Sequence, residues 1–195
     1  MKFLYTLRAV YDSGYDEDGS SWQQYKAWSR LRHLTELVSL DALLNETLVV
    51  PDYNNAADWT DIHVVDFCVT GFYESQEYVL RKANPMGKFN LLAAVIEPET
   101  TCAAVEIEGY EFAGYDLLDQ DFYISALTNC GGFDDSFLPA DLNRYGLIDD
   151  YTKVYAIKKL LLDNHPHNCH ARTHVIAVWR HKTIGRCRLN VNAQL

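Results

Sequence analysis

HVIAVWRHK, residues 174–182, reads as a β-strand, and its reading decides the fold. In an extended chain successive side chains point to opposite faces. Val175, Ala177 and Trp179 therefore share one side, and Ile176 and Val178 the other. A strand that is apolar on both sides is covered above and below, which places it inside a sheet rather than at an edge.

Upstream of it, residues 151–162 carry the clearest helical period. Val154, Ile157 and Leu161, with Tyr151, Tyr155 and Leu162, form a broad apolar face, while Lys153 and Lys159 point away. Asp149 or Asp150 caps this helix, the acid-then-lysine order suits its dipole, and Pro166 stops it. A second helix is expected from Trp22, where Trp22, Tyr25, Trp28, Leu31 and Leu34 recur at three- and four-residue spacing after a Ser20 or Ser21 cap. A short helix is expected at 74–82.

Strands are expected at 3–10, 48–50, 62–72, 89–96 and 124–127, and a hairpin at 103–118 turning about Gly109. The β-branched and aromatic run IHVVDFCVTGF, 62–72, reads as a central strand. No repeat, low-complexity tract or linker divides the chain. The expectation is one α+β domain over 1–195: a mixed or mainly antiparallel sheet with two principal helices packed on one face, and a mobile tail at 185–195.

Composition narrows the function classes. At 195 residues, 48% hydrophobic and 23% charged, the chain has the material for a globular core without disulfides or metal. Its longest apolar runs are strand-sized, far below the ~20 residues of a spanning helix. The start MKFLYTLRAVYD reads as a strand rather than a signal peptide, because Arg8 breaks its apolar stretch. Five scattered cysteines, an odd number, suggest no disulfide framework, so a reducing cytosol is the simplest setting.

Charge is unevenly spread. Residues 97–150 hold 13 acids and one base, residues 151–195 one acid and 8 bases, and the whole chain is -10. Such a net charge makes the basic group Arg180, His181, Lys182, Arg186 and Arg188 a poor nucleic-acid platform. Within the acidic region, Glu106, Glu108, Tyr110, Glu111, Tyr115, Asp116, Asp119, Asp121, Tyr123, Asp134 and Asp135 set carboxylates among tyrosines. Carboxylates steer a basic partner and aromatic rings anchor it. A solvated strand edge, kept soluble by charge, accounts for the same residues.

Two further groups carry possible chemistry. NHPHNCHARTH, 164–174, offers His165, His167, Cys169, His170 and His174 as zinc ligands. All five fall within ten residues, whereas structural zinc sites draw ligand pairs from two separated segments, and a polar loop is the competing reading. In TNCGGF, 128–133, Cys130 precedes two glycines whose N–H groups suit an oxyanion hole, with His174 or His181 as the base. A tight turn with a buried cysteine is the alternative. The acidic run Asp12, Asp16, Glu17, Asp18 fails the calcium-loop pattern at two positions, and no phosphate-loop, dinucleotide, esterase or zinc-protease signature occurs.

The segments FAGYDLLD (112–119), ISALTNCGGF (124–133), YGLIDD (145–150) and WRHKTIGR (179–186) resemble those of a bacterial family of unassigned function. In size, acidity and tyrosine content the chain also resembles the small acidic immunity proteins with which bacteria neutralise secreted toxins. That resemblance implies a cytosolic binding protein for a basic protein partner, such as a nuclease toxin, with no cofactor. The competing expectation is a small hydrolase or zinc-dependent enzyme centred on Cys130 or on residues 165–174.

Overall fold

The computed structural model describes residues 1–16, 18–84, 87–129, 136–168 and 170–183. Six strands form one antiparallel sheet in the order β4-β5-β1-β6-β8-β7. They are β1 (Leu4–Ala9), β4 (Ile62–Val65), β5 (Cys68–Tyr73), β6 (Phe89–Ile96), β7 (Tyr110–Asp119) and β8 (Thr173–His181). Two short strands, β2 (Tyr11–Asp12) and β3 (Glu36–Leu37), pair beside it. The helices are α1 (Ser20–Ser29), α2 (Gln76–Arg81) and α3 (Tyr151–Asn164). The chain is an α+β domain, and among the described residues no helix is long and apolar enough to cross a membrane.

β8 sits between β6 and β7, as its two apolar faces require. On one face Val175, Ala177 and Trp179 join the larger apolar cluster, to which α1 contributes Trp22 and Tyr25 and α3 contributes Val154, Ile157 and Leu161. On the other face Ile176 and Val178 pack with Leu40, Phe72, Phe122 and Leu147. Among the described residues no helix contributes to that second cluster. Irregular chain roofs it through Val38, Leu40, Phe122, Tyr145 and Leu147.

Several expected elements are corrected. Residues 62–72 are a hairpin at the sheet edge, not a central strand: Val65 pairs with Cys68 across Asp66 and Phe67. Both turn residues have positive φ, 48° and 67°, the signature of a tight I′-type turn. Such turns favour Gly at the second position, so Phe67 carries left-handed strain of roughly 1–2 kcal/mol. It is also fully exposed, leaving roughly 2 kcal/mol of possible burial unrealised.

The hairpin expected about Gly109 is a single strand, β7, whose partner β8 lies some sixty positions on. Residues 124–127 form a turn with one bridge, Leu118 to Ser125, and 48–50 form no strand. α1 stops at Ser29 because Arg30 turns left-handed, φ 62°. Leu31 and Leu34 are buried beyond its end, and Trp28 faces solvent. No serine side chain caps α1; the Asp16 carboxylate instead receives the Ser21 N–H at 2.8 Å. α3 is capped as expected, by Asp150 accepting from Lys153 N at 2.6 Å.

Candidate functional site

The structure disperses the expected acidic face. Tyr110, Tyr115, Asp116 and Asp119 are buried, so they form no docking surface. Glu106, Glu108, Asp121 and Tyr123 are exposed and Glu111 is half-buried. β7 runs between the first pair and the second, about 30 Å of extended chain, so they lie at opposite ends. Asp134 and Asp135 lie outside the described residues. The acid-rich and base-rich regions also neutralise each other, through Lys158 with Glu97 at 2.5 Å and Lys153 with Asp141 at 2.6 Å.

The buried acids organise the irregular roof. Asp41 Oδ1 accepts from the N–H groups of Leu43 and Leu44, both at 2.9 Å, and its Oδ2 accepts from Ser125 N at 2.9 Å. Asp116 accepts from Leu40 N at 2.8 Å and from the Ser125 hydroxyl at 2.6 Å. Burial pushes its carboxyl upward and these donors oppose that. Asp119 Oδ1 accepts from Tyr123 N and Ile124 N at 2.8 and 3.2 Å. In sequence these aspartates look like surface charge. Their partners are mostly backbone N–H groups of distant segments, which no spacing pattern announces.

Beneath the roof lies Arg8, almost fully buried. Burial lowers it to about 10, opposed by the charges of Tyr73, Asp41 and Asp116. Its Nη1 donates to Asn45 O at 3.4 Å, and the Asn45 side chain ties down Ala9 O and Leu37 O. Gly71, at φ 73°, leaves the guanidinium its space: a Cβ there stands 3.2 Å from Nη2.

These clamps hold open a cleft of about 330 Å³ lined by Ala9, Tyr15, Ala42, Leu43, Leu44, Glu46, Thr47 and Tyr123. Ala42 N donates to Tyr123 O at 2.8 Å, locking two of its walls together. Tyr15 enters from the third side, its ring edge-on to Tyr11 at 4.7 Å. Tyr15, Leu43 and Tyr123 are each about half exposed, at 57%, 58% and 49%, although they come from three separate chain segments. Glu46 on the lining, Asp121 beside Tyr123 and Asp18 near Tyr15 are exposed, and none of them forms an ion pair among the described residues. Sequence reasoning found Tyr123 and Asp121 but missed Tyr15, Leu43 and Glu46, which only the fold brings beside them.

The histidine segment divides. His165 ends α3, His167 is exposed, His170 is buried, and Cys169 lies outside the described residues. The His174 ring stacks on Phe122, with centroids 4.3 Å apart, and its Nδ1 stands 3.6 Å from Glu97. His33 meets Leu142 O at 3.0 Å and His63 meets Thr70 Oγ1 at 3.3 Å, so neither completes a set. Among the described residues no three His, Cys, Asp or Glu side chains converge as metal ligands. His167 and Arg172 do share a cavity of about 410 Å³ with Asp119 and Asp121.

Glu97 is a second charged focus. It adopts φ 46° and gathers Lys158, Tyr155 OH at 3.2 Å and Val175 N at 3.1 Å. Burial alone raises its carboxyl. Hydrogen bonds from His174 and Lys158, the Lys158 charge and the Val175 amide outweigh that and hold it near 2. The arrangement clamps α3 to the sheet and supplies no nucleophile. Cys130 lies outside the described residues; Cys68 and Cys102 are free thiols, and burial pushes the Cys102 thiol up.

Comparison of the chain with protein-family models, with curated proteins and with solved structures finds no match.

Proposed function

We propose that the chain is a binding protein that captures a basic protein partner in the cleft walled by Tyr15, Leu43 and Tyr123. The observation that carries this reading is the convergence of those three half-exposed apolar side chains around Glu46. Binding energy concentrates where aromatic and aliphatic anchors meet in a desolvated pocket, and carboxylates at the rim set on-rate and partner choice. The buried aspartates support the same reading, since walls fixed before binding lose little entropy on complex formation.

The setting is a reducing cytosol, and neutralisation of a toxin such as a nuclease is the role this chemistry suits. Among the described residues no specific observation favours a hydrolytic or zinc-dependent reading.

The test uses immobilised protein as bait for the proteins of the cell that makes it, at low and high salt. A basic protein held at low salt, released at high salt, lost when the bait carries Tyr123→Ala and captured more slowly and with less salt dependence when it carries Glu46→Gln supports the proposal. Equal capture by the wild type and both variants overturns it.

A further inference from the structure

We infer that the Asp66–Phe67 hairpin tip is a second anchor for the same partner, with Phe67 entering an apolar pocket whose rim is cationic. This rests on the proposed binding function and names the partner's surface chemistry.

Two independent features set Phe67 apart. It occupies a left-handed position, φ 67°, where glycine is the favoured residue of a tight hairpin turn. Its ring is fully exposed and meets nothing in the fold. A large aromatic at such a position works against the folded chain twice over, in backbone strain and in solvent exposure. Burial of the ring in another molecule recovers the exposure cost and outweighs the backbone strain, which the turn retains, and aromatic side chains dominate such anchoring.

The pocket's rim follows from charge. Asp66 is exposed at the tip, and no other Asp, Glu, Lys or Arg occurs in residues 62–73. The anchor is thus one ring beside one anion, which an apolar pocket edged by Lys or Arg complements. Its direction suits one interface. β5 runs antiparallel to β1, so its first residues and the tip point toward the end of the sheet where β1 finishes at Ala9, with residues 46–48 paired to β1 there.

Phe67→Gly separates the explanations. If the ring serves the fold, the variant melts lower. If it serves a partner, relief of the turn raises Tm by roughly 2 to 4 °C while release of the captured protein speeds up about tenfold or more. A photo-crosslinking phenylalanine analogue at position 67, used in the cell that makes the chain, identifies what the ring touches. An adduct to apolar residues flanked by Lys or Arg, on the protein that Tyr123→Ala also loses, is the expected result. A lower Tm, unchanged release, no adduct, or an adduct to lipid, to an acidic surface or to a second copy of this chain overturns the inference. Loss at Tyr123→Ala with no effect at Phe67→Gly sinks the second anchor alone. Equal capture by all variants removes the binding reading itself.

Discussion

Asp41 Oδ2 accepts the backbone N–H of Ser125 at 2.9 Å, across 84 positions of chain. The same carboxylate caps Leu43 and Leu44 through its other oxygen. One buried acid therefore joins the strut behind Leu43 to the turn behind Tyr123. Asp41→Ala leaves three N–H donors without their acceptor and is expected to cost about 3 kcal/mol in urea unfolding. Hydrogen exchange at Leu43 and Ser125 is expected to lose protection. Unchanged protection at both amides contradicts the role given to Asp41.

Gly114 marks the register shift in β7 between Phe112 and Gly114. It has φ 134°, and a Cβ there stands 2.7 Å from the Leu147 Cβ and 3.0 Å from Ile148 O. Gly114→Ala combines a strained backbone with an overpacked contact. The expected cost is about 3 kcal/mol, a fall in Tm of roughly 6 to 12 °C by differential scanning calorimetry. A variant that melts with the wild type contradicts this packing.

β6 and α3 were legible because each advertises itself locally, β6 by a continuous apolar run and α3 by its period and Asp150 cap. β8 was legible as an inner strand for the same reason. The hairpin at Asp66–Phe67 was not, because it uses a turn without the glycine that normally betrays one. The cleft was only partly legible. Tyr123 stood out in an acid-and-tyrosine run, but that run is threaded through the interior, where Asp116 and Asp119 bond backbone from other segments. Leu43 and Glu46 reach the site through long-range bonds, those of Asp41 and of Ala9 N to Glu46 O, and Tyr15 through its ring contact with Tyr11.

The two most strongly depressed carboxyls, Glu97 and Asp58, weaken the fold in acid. Glu97 lies near 2, its burial outweighed by His174, Lys158 and the Val175 amide. Asp58 lies near 2 through hydrogen bonds from Lys82 and Asp52 N, with Tyr78 adding a third. Each is lowered on folding, so its contribution is fully present above the unfolded values of 4.5 and 3.8 and is lost as pH falls towards 2. Circular dichroism melts between pH 6 and 2 are expected to show this fall. Glu97→Gln is expected to flatten the slope between about pH 4.5 and 2. An unchanged slope in that variant removes Glu97 from the account.

Rim carboxylates and anchoring rings have separable effects on binding. Glu46→Gln is expected to slow association and reduce its salt dependence, with little change in dissociation. Tyr15→Ala and Leu43→Ala are expected to act on dissociation instead, by about tenfold or more where the side chain is central. Surface plasmon resonance at two ionic strengths reads both rates. The opposite assignment, charge on the off-rate and rings on the on-rate, contradicts the geometry described for the cleft.

The most direct measurement is the affinity of the captured protein for wild type and for Tyr123→Ala, by titration calorimetry at 50 and 500 mM salt. The expected result is a basic partner bound by wild type, weakened at the higher salt, and at least tenfold weaker with Tyr123→Ala at either salt while the variant's Tm stays within a few degrees. Equal affinity of the two proteins, or a partner with no salt dependence, contradicts a cleft built for a basic protein.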